Sequence, residues 1–171
     1  MVLAAHLRAL KFDAAVSSDL SRCVETARII LTEHLGVALR LDPDLREMAF
    51  GEWEGLTWDQ IVQKYPQLTA EGWSTPKTQH PPGGERFPDV ILRARNALAR
   101  IRSETLAGLV LMVTHAGVLH ALLPAILGET EAQKIEIRFT PAGISRFALE
   151  PDGSARILGL NEAAEMPTLE R

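Results

Sequence analysis

The chain has 171 residues, 46% of them hydrophobic, with a formal net charge of −4 at pH 7 and a single cysteine. That length fits one domain, residues 1–171; the apolar content excludes a disordered chain, and no apolar run approaches the roughly 20 residues that span a bilayer. Lysines and arginines are scattered, which leaves no basic stripe for nucleic acid or an anionic membrane, and the lone Cys23 without a secretory leader predicts a reducing, cytoplasmic setting.

In chain order, Met1 to Leu10 places Leu3, Leu7 and Leu10 on one face, as in the tail of an amphipathic helix, yet no capping residue precedes it. Phe12 to Val16 reads as a short strand, and Ser18 as the cap of the helix that follows. That helix carries Leu20, Cys23, Val24, Ala27, Ile30, Leu31 and Leu35 on one face and stops at Gly36. Arg22 falls in its first turn, where a cation opposes the positive end of the helix dipole. Arg22 is then either an ordinary exposed arginine or one that shares an anion with the helix N–H groups.

Val37 to Leu41 predicts a second strand and Asp42-Pro43 a turn. The following stretch, Leu45 to Gly55, mixes carboxylates, aromatics and glycines with neither helical nor alternating period, so it reads as a structured loop. Glu47, Glu52 and Glu54 can each be solvated surface groups. Glu47 stands out by lying shortly after a strand, among apolar residues that would desolvate it. Thr57 opens a short helix ending near Tyr65-Pro66. Gly72 to Gly84, rich in Pro, Thr and Gly, predicts a surface excursion, and Trp53, Trp58, Trp73 and His80 can either line a specificity pocket or pack. A long helix follows with core residues Phe87, Val90, Ile91, Ala94, Ala97, Leu98 and Ile101, Pro88 being tolerable in its first turn.

Leu109 to Val113 is an unbroken apolar run, too short for a helix, and predicts a strand buried on both faces. It stops at Thr114-His115, and Ala116-Gly117 leads into a helix over Val118 to Leu127 that Pro124 kinks or shortens. Ligands of open α/β sheets collect at the carboxyl ends of strands, where the next helix offers N–H groups to an anion. His115 is placed either for a phosphate or simply to end a strand. Ile135 to Phe139, Gly143 to Leu149 and Ala155 to Leu160 read as strands, with Pro151-Asp152-Gly153 as a hairpin turn and Asn161 to Arg171 as a polar tail.

Taken together, Ser17 to Ala27 (Ser-Ser-Asp-Leu-Ser-Arg-Cys-Val-Glu-Thr-Ala), Leu45-Arg46-Glu47 with Phe50 to Gly55, and Thr114-His115-Ala116-Gly117 resemble the small, cofactor-independent phosphatases of the histidine phosphatase superfamily. Pro82-Gly83-Gly84-Glu85 is a weaker fourth match. The resemblance implies a phosphoglycerate mutase-like three-layer α/β sandwich, a mostly parallel sheet with helices on both faces and an antiparallel edge. It implies Arg22 as a clamp on phosphoryl oxygens, Glu47 as the acid that protonates the leaving alcohol, and His115 as a second histidine on the phosphoryl group. No metal or other cofactor is implied; the ligand is a small phosphorylated metabolite or inorganic phosphate.

The sequence departs from this pattern at one point. The Arg-His-Gly signature that carries the nucleophile on the family's first strand occurs nowhere in the 171 residues. The first strand is expected to be missing, the chain as written to show little phosphatase activity, and the exposed strand edge to favour a homo-oligomer or the filling of the gap by another segment. The expected activity is thus phosphomonoester hydrolysis through a phosphohistidine, with a non-catalytic phosphate-binding module or a mutase as alternatives.

Overall fold

Alternation of side chains along the short apolar runs is what organises the computed structural model, which describes residues 2–69, 80–105, 107–150 and 155–164. Helix α1 (Val2–Leu7) leads to strand β1 (Ala14–Ser17), helix α2 (Ser21–Leu31) and strand β2 (Leu39–Leu41). A loop with two 3-10 turns, Pro43–Leu45 and Gly51–Trp53, precedes α3 (Trp58–Lys64), α4 (Pro66–Thr69) and α5 (Phe87–Glu104). Then come β3 (Val110–Val113), α6 (Ala116–Leu127), α7 (Glu129–Ala132), β4 (Ile144–Leu149) and β5 (Ala155–Glu162).

Strands β1, β2 and β3 form a parallel sheet in the order β2-β1-β3, and β4 pairs with β5 in a separate antiparallel ladder. Successive residues of a strand face opposite sides, so the sheet is covered twice. Val16 joins Val90, Ala94, Ala97 and Ile101 of α5 and Val118, Ala121 and Leu122 of α6 on one face. Ala15 and Leu111 join Leu7 of α1 and Ile30 of α2 on the other. Each fully buried Val or Leu of this kind stabilises the fold by roughly 1.5–3 kcal/mol.

Much of the sequence reading holds. The predicted core face of α5 is buried at Val90, Ala94, Ala97 and Ile101, with Phe87, Ile91 and Leu98 packed beside them. Thr57 caps α3 in a reciprocal box: its Oγ1 accepts from the Gln60 N–H at 3.3 Å, and Gln60 Oε1 accepts from the Thr57 N–H at 2.8 Å.

Other expectations are corrected. Helix α2 ends at Leu31, and Leu35, expected on its core face, is 93% exposed because it lies past the last helical turn. Leu10 lies beyond α1 and is exposed for the same reason. The run Leu109 to Val113 is not buried throughout. Within β3 only Leu111 is buried, because β1 is the middle strand and β3 pairs with nothing else among the described residues. Ile135 to Phe139 keeps its in-out alternation but joins no ladder among the described residues. The Asn161 side chain takes a strand partner's place there, donating to Arg138 O at 3.0 Å and accepting from the Thr140 N–H at 2.8 Å. Asn161 and Glu162, read as tail, belong to β5. Trp73, the Pro151-Asp152-Gly153 turn and the tail past residue 164 lie outside the described residues.

Candidate functional site

Three strand ends lie side by side at the carboxyl edge of the parallel sheet. The Ser18 N–H donates to Val113 O at 2.9 Å and the Asp42 N–H to Ser17 O at 2.8 Å, so the chain leaves β1, β2 and β3 at one level. His115, two residues past β3, is extended (φ −121°, ψ 162°) and stands at the N-cap of α6. It is only 7% exposed.

The His115 imidazole has a partner on each nitrogen. Arg22 Nε donates to its Nδ1 at 3.2 Å, and Ser18 Oγ lies 2.9 Å from its Nε2. Cys23 Sγ is 3.3 Å from the same Nε2 and directs its thiol to Thr114 O at 3.6 Å. Arg22 therefore sits in the unfavourable first turn of α2 for a reason: its side chain reaches from an exposed position to the buried imidazole. Ser18 does not cap α2. The N-cap is Leu20, with no side-chain cap, and Ser18 Oγ accepts from the Leu20 N–H at 3.3 Å.

Glu47 arrives from the loop after β2. Its Oε1 accepts from the Gly117 N–H at 3.1 Å and from its own neighbour, the Met48 N–H, at 2.9 Å. The carboxylate thus occupies the N-terminus of α6, two residues after His115, where the helix dipole favours a negative charge. A Cβ at 117 would overlap Glu47 Oε1, so any residue but glycine there would push the carboxylate aside.

The loop that carries Glu47 is held from both sides. Arg93 of α5, 15% exposed, pairs with Glu85 at 2.9 and 3.0 Å. Its Nη1 donates to Asp44 O at 2.8 Å and Arg46 O at 2.6 Å, just before Glu47, while Glu85 Oε2 accepts from the Ala49 N–H at 2.8 Å, just after it. Thr114 Oγ1 adds a bond to the carbonyl of fully buried Leu45 at 2.8 Å. Farther along, Gly51 (φ +50°) lies against Pro82 and Gly84 so closely that any side chain would collide with that backbone.

Burial, first of all, holds His115 below the usual histidine range; the Arg22 and Arg93 cations push the same way and Glu47 opposes them. Burial likewise pushes the Cys23 thiol up, so it stays protonated and inert. The result is a neutral imidazole between a cation and a hydroxyl, with a carboxylate nearby.

Of the residues expected from sequence, Arg22, Glu47 and His115 come together. Glu52 and Glu54 do not: Glu52 accepts from the Tyr65 hydroxyl at 2.5 Å and Glu54 from the Phe50 N–H at 3.3 Å. Trp53 packs with Ile61 and Tyr65 in a small core of its own, and Trp58 lies 42% exposed on α3. Ser18, Cys23, Arg93 and Gly117 were not read as part of the site. Ser18, Cys23 and Gly117 had one signal, their place in the segments that carry the family resemblance; Arg93 had none. Among the described residues no group of three or more His, Cys, Asp or Glu is arranged to hold a metal ion.

A sequence profile described as Histidine phosphatase superfamily (branch 1) matches residues 1–163. A bifunctional protein of Mycobacterium tuberculosis is 32% identical over 149 residues, covering 87% of this chain and 40% of that protein. A glucosyl-3-phosphoglycerate phosphatase of the same species is 38% identical over 120 residues, 66% of this chain and 53% of its own length. The chain therefore spans about half or less of these relatives. Among solved structures, YhfR of Bacillus stearothermophilus superposes with a TM-score of 0.84 at 29% identity, covering 95% of this chain and 80% of that one. The mycobacterial glucosyl-3-phosphoglycerate phosphatase in complex with inorganic phosphate gives 0.82 at 28% identity, covering 95% and 84%.

Proposed function

The chain belongs to the histidine phosphatase superfamily, and on that premise we propose that the carboxyl edge of its sheet receives the phosphoryl group of a small phosphomonoester or inorganic phosphate. Arg22 clamps the phosphoryl oxygens, Glu47 serves the leaving alcohol as acid, and His115 contacts the phosphoryl group. The observation that carries this reading is the meeting of Arg22 with His115 at 3.2 Å while Glu47 binds the N–H of Gly117, two residues on.

The chemistry calls for these groups. Cleaving a phosphomonoester concentrates charge on the equatorial oxygens, which a guanidinium neutralises with paired donors, and expels an alkoxide, which a carboxyl group must protonate. In the phosphohistidine scheme a neutral imidazole attacks phosphorus and the P–O bond to the alcohol breaks; Glu47, a carboxylate in the ligand-free chain, takes the proton of the phosphomonoester monoanion and passes it to the departing oxygen. Water then cleaves the P–N bond and returns a proton to Glu47. The 171 residues contain no Arg-His-Gly, so they do not supply the attacking imidazole of this scheme in its family motif. Alone, these residues bind phosphate and turn over little.

Several relatives are named as phosphatases, among them a glucosyl-3-phosphoglycerate phosphatase, a metal-independent phosphoserine phosphatase and an adenosylcobalamin/alpha-ribazole phosphatase, which supports hydrolysis over the mutase alternative. Calorimetric titration with inorganic phosphate and with vanadate tests the site. Both are expected to bind, and Arg22→Ala to weaken phosphate about 10- to 100-fold, the worth of hydrogen bonds to a charged partner. Absence of binding, or binding indifferent to Arg22, rejects the site. Glu47-dependent hydrolysis of an aryl phosphate at ordinary enzymatic rates rejects the claim of little turnover.

A further inference from the structure

We propose that Ser18 is a positioning residue that holds His115 with its proton on Nε2 and the lone pair of Nδ1 facing Arg22. Only its consequence for phosphate affinity rests on the proposed site; the assignment itself concerns the ligand-free chain.

The donor inventory decides the tautomer. A guanidinium N–H donates and never accepts, so the 3.2 Å bond from Arg22 Nε requires a lone pair on Nδ1 and puts the ring proton on Nε2. Two atoms lie near that proton, Ser18 Oγ at 2.9 Å and Cys23 Sγ at 3.3 Å. The hydroxyl oxygen is the stronger acceptor, and the thiol is turned towards Thr114 O. Ser18 cannot drift from this duty. It is fully buried, its N–H is tied to Val113 O, its carbonyl accepts from Ser17 Oγ at 2.8 Å, and its Oγ accepts from the Leu20 N–H.

The arrangement has a use when an anion arrives. With Nε2–H committed to Ser18, Nδ1 is the nitrogen left to take a proton from a monoanionic phosphate once Arg22 turns to the ligand, and the resulting Nδ1–H donates back to the phosphate dianion without the ring moving. The opposite tautomer would set an Nδ1–H against the guanidinium, donor against donor. Arg22 of α2, Glu47 of the loop after β2 and Arg93 of α5 are the charges that act on the ring, while the atoms that meet Nε2 are Ser18 Oγ and Cys23 Sγ.

Two-bond proton–nitrogen correlation spectra of the full chain at alkaline pH read the tautomer directly, with His115→Gln assigning the signal. A protonated Nε2 and bare Nδ1 are expected for wild type, a mixed or reversed pattern for Ser18→Ala, restoration in Ser18→Thr, and no change in Cys23→Ala. An Nδ1–H tautomer in wild type, no change in Ser18→Ala, or an equal change in Cys23→Ala overturns the assignment; should Ser18→Ala not fold, the wild-type spectrum alone decides. In parallel titrations Ser18→Ala is expected to weaken phosphate about threefold to tenfold, the worth of one hydrogen bond. Wild type that shows the expected tautomer but binds no phosphate sinks the phosphate site and leaves the Ser18 assignment standing.

Discussion

Replacing Gly117 by alanine sets two effects of opposite sign against each other, and their sum tests whether Glu47 is held where the site needs it. A Cβ at 117 overlaps Glu47 Oε1, so the carboxylate must leave the Gly117 N–H, now bonded at 3.1 Å. A hydrogen bond to a charged acceptor contributes about 1.5–3 kcal/mol, and the half-buried position of Glu47 places this one at the lower end. Against that, alanine in a helix is favoured over glycine by up to about 1 kcal/mol. The net expectation is destabilisation by about 0.5–1 kcal/mol, or a Tm lower by about 1–4 °C for a chain of this size. The decisive measurement is a cycle in urea with Glu47→Ala. In that background nothing is left to displace, so Gly117→Ala is expected to stabilise, giving a coupling of about 1.5 kcal/mol between the two sites. Equal stabilisation by Gly117→Ala in both backgrounds would refute the contact, and with it the placing of Glu47 beside His115.

The other predictions concern charge. His115 lies below its ordinary pKa of 6.5, chiefly through burial, so on acidification the unfolded chain takes up a proton before the folded one. Stability is therefore complete above the ordinary value and falls as pH drops towards the lower, folded one; His115→Gln is expected to flatten this part of a urea-midpoint-versus-pH curve, leaving the share of His120, which burial also pushes down. Asp42 is 2% exposed and accepts from Arg100 at 2.9 Å, Arg40 at 3.0 Å and the Asp44 N–H at 3.0 Å. Burial alone would raise its pKa, but these bonds outweigh it and hold the carboxyl below the ordinary 3.8. Its contribution is present above that value and is lost as pH falls through the lower one. Asp42→Asn should cost about 2–4 kcal/mol by chemical denaturation, less than a wholly buried pair because both guanidinium groups reach water; a loss under half a unit of that scale, about 0.5 kcal/mol, would contradict the reading.

What local pattern could and could not reveal follows from the range of the interactions. The 3.6-residue period of Val90, Ala94, Ala97 and Ile101, the Thr57 to Gln60 box and the apolar run before Thr114-His115 all act within a few neighbours, so the elements they make were legible in the sequence. Arg22, Glu47 and His115 stood out by their places at a helix start or after a strand end, yet position left each open to an ordinary reading, and only the family resemblance of the segments around them singled out the three together. Ser18 shows where that kind of reading stops: by local rules a serine before a helix caps it, yet this one serves a histidine 97 positions away. Arg93 looked like one more polar residue on α5 until the loop before Glu47 folded onto it. Ile135 to Phe139 alternates like a strand but meets no ladder partner among the described residues. Amphipathic period and turn chemistry are carried by each segment alone, whereas a partner for a hydroxyl, a guanidinium or a strand edge exists only once distant segments are packed together, and that was for the tertiary structure to decide.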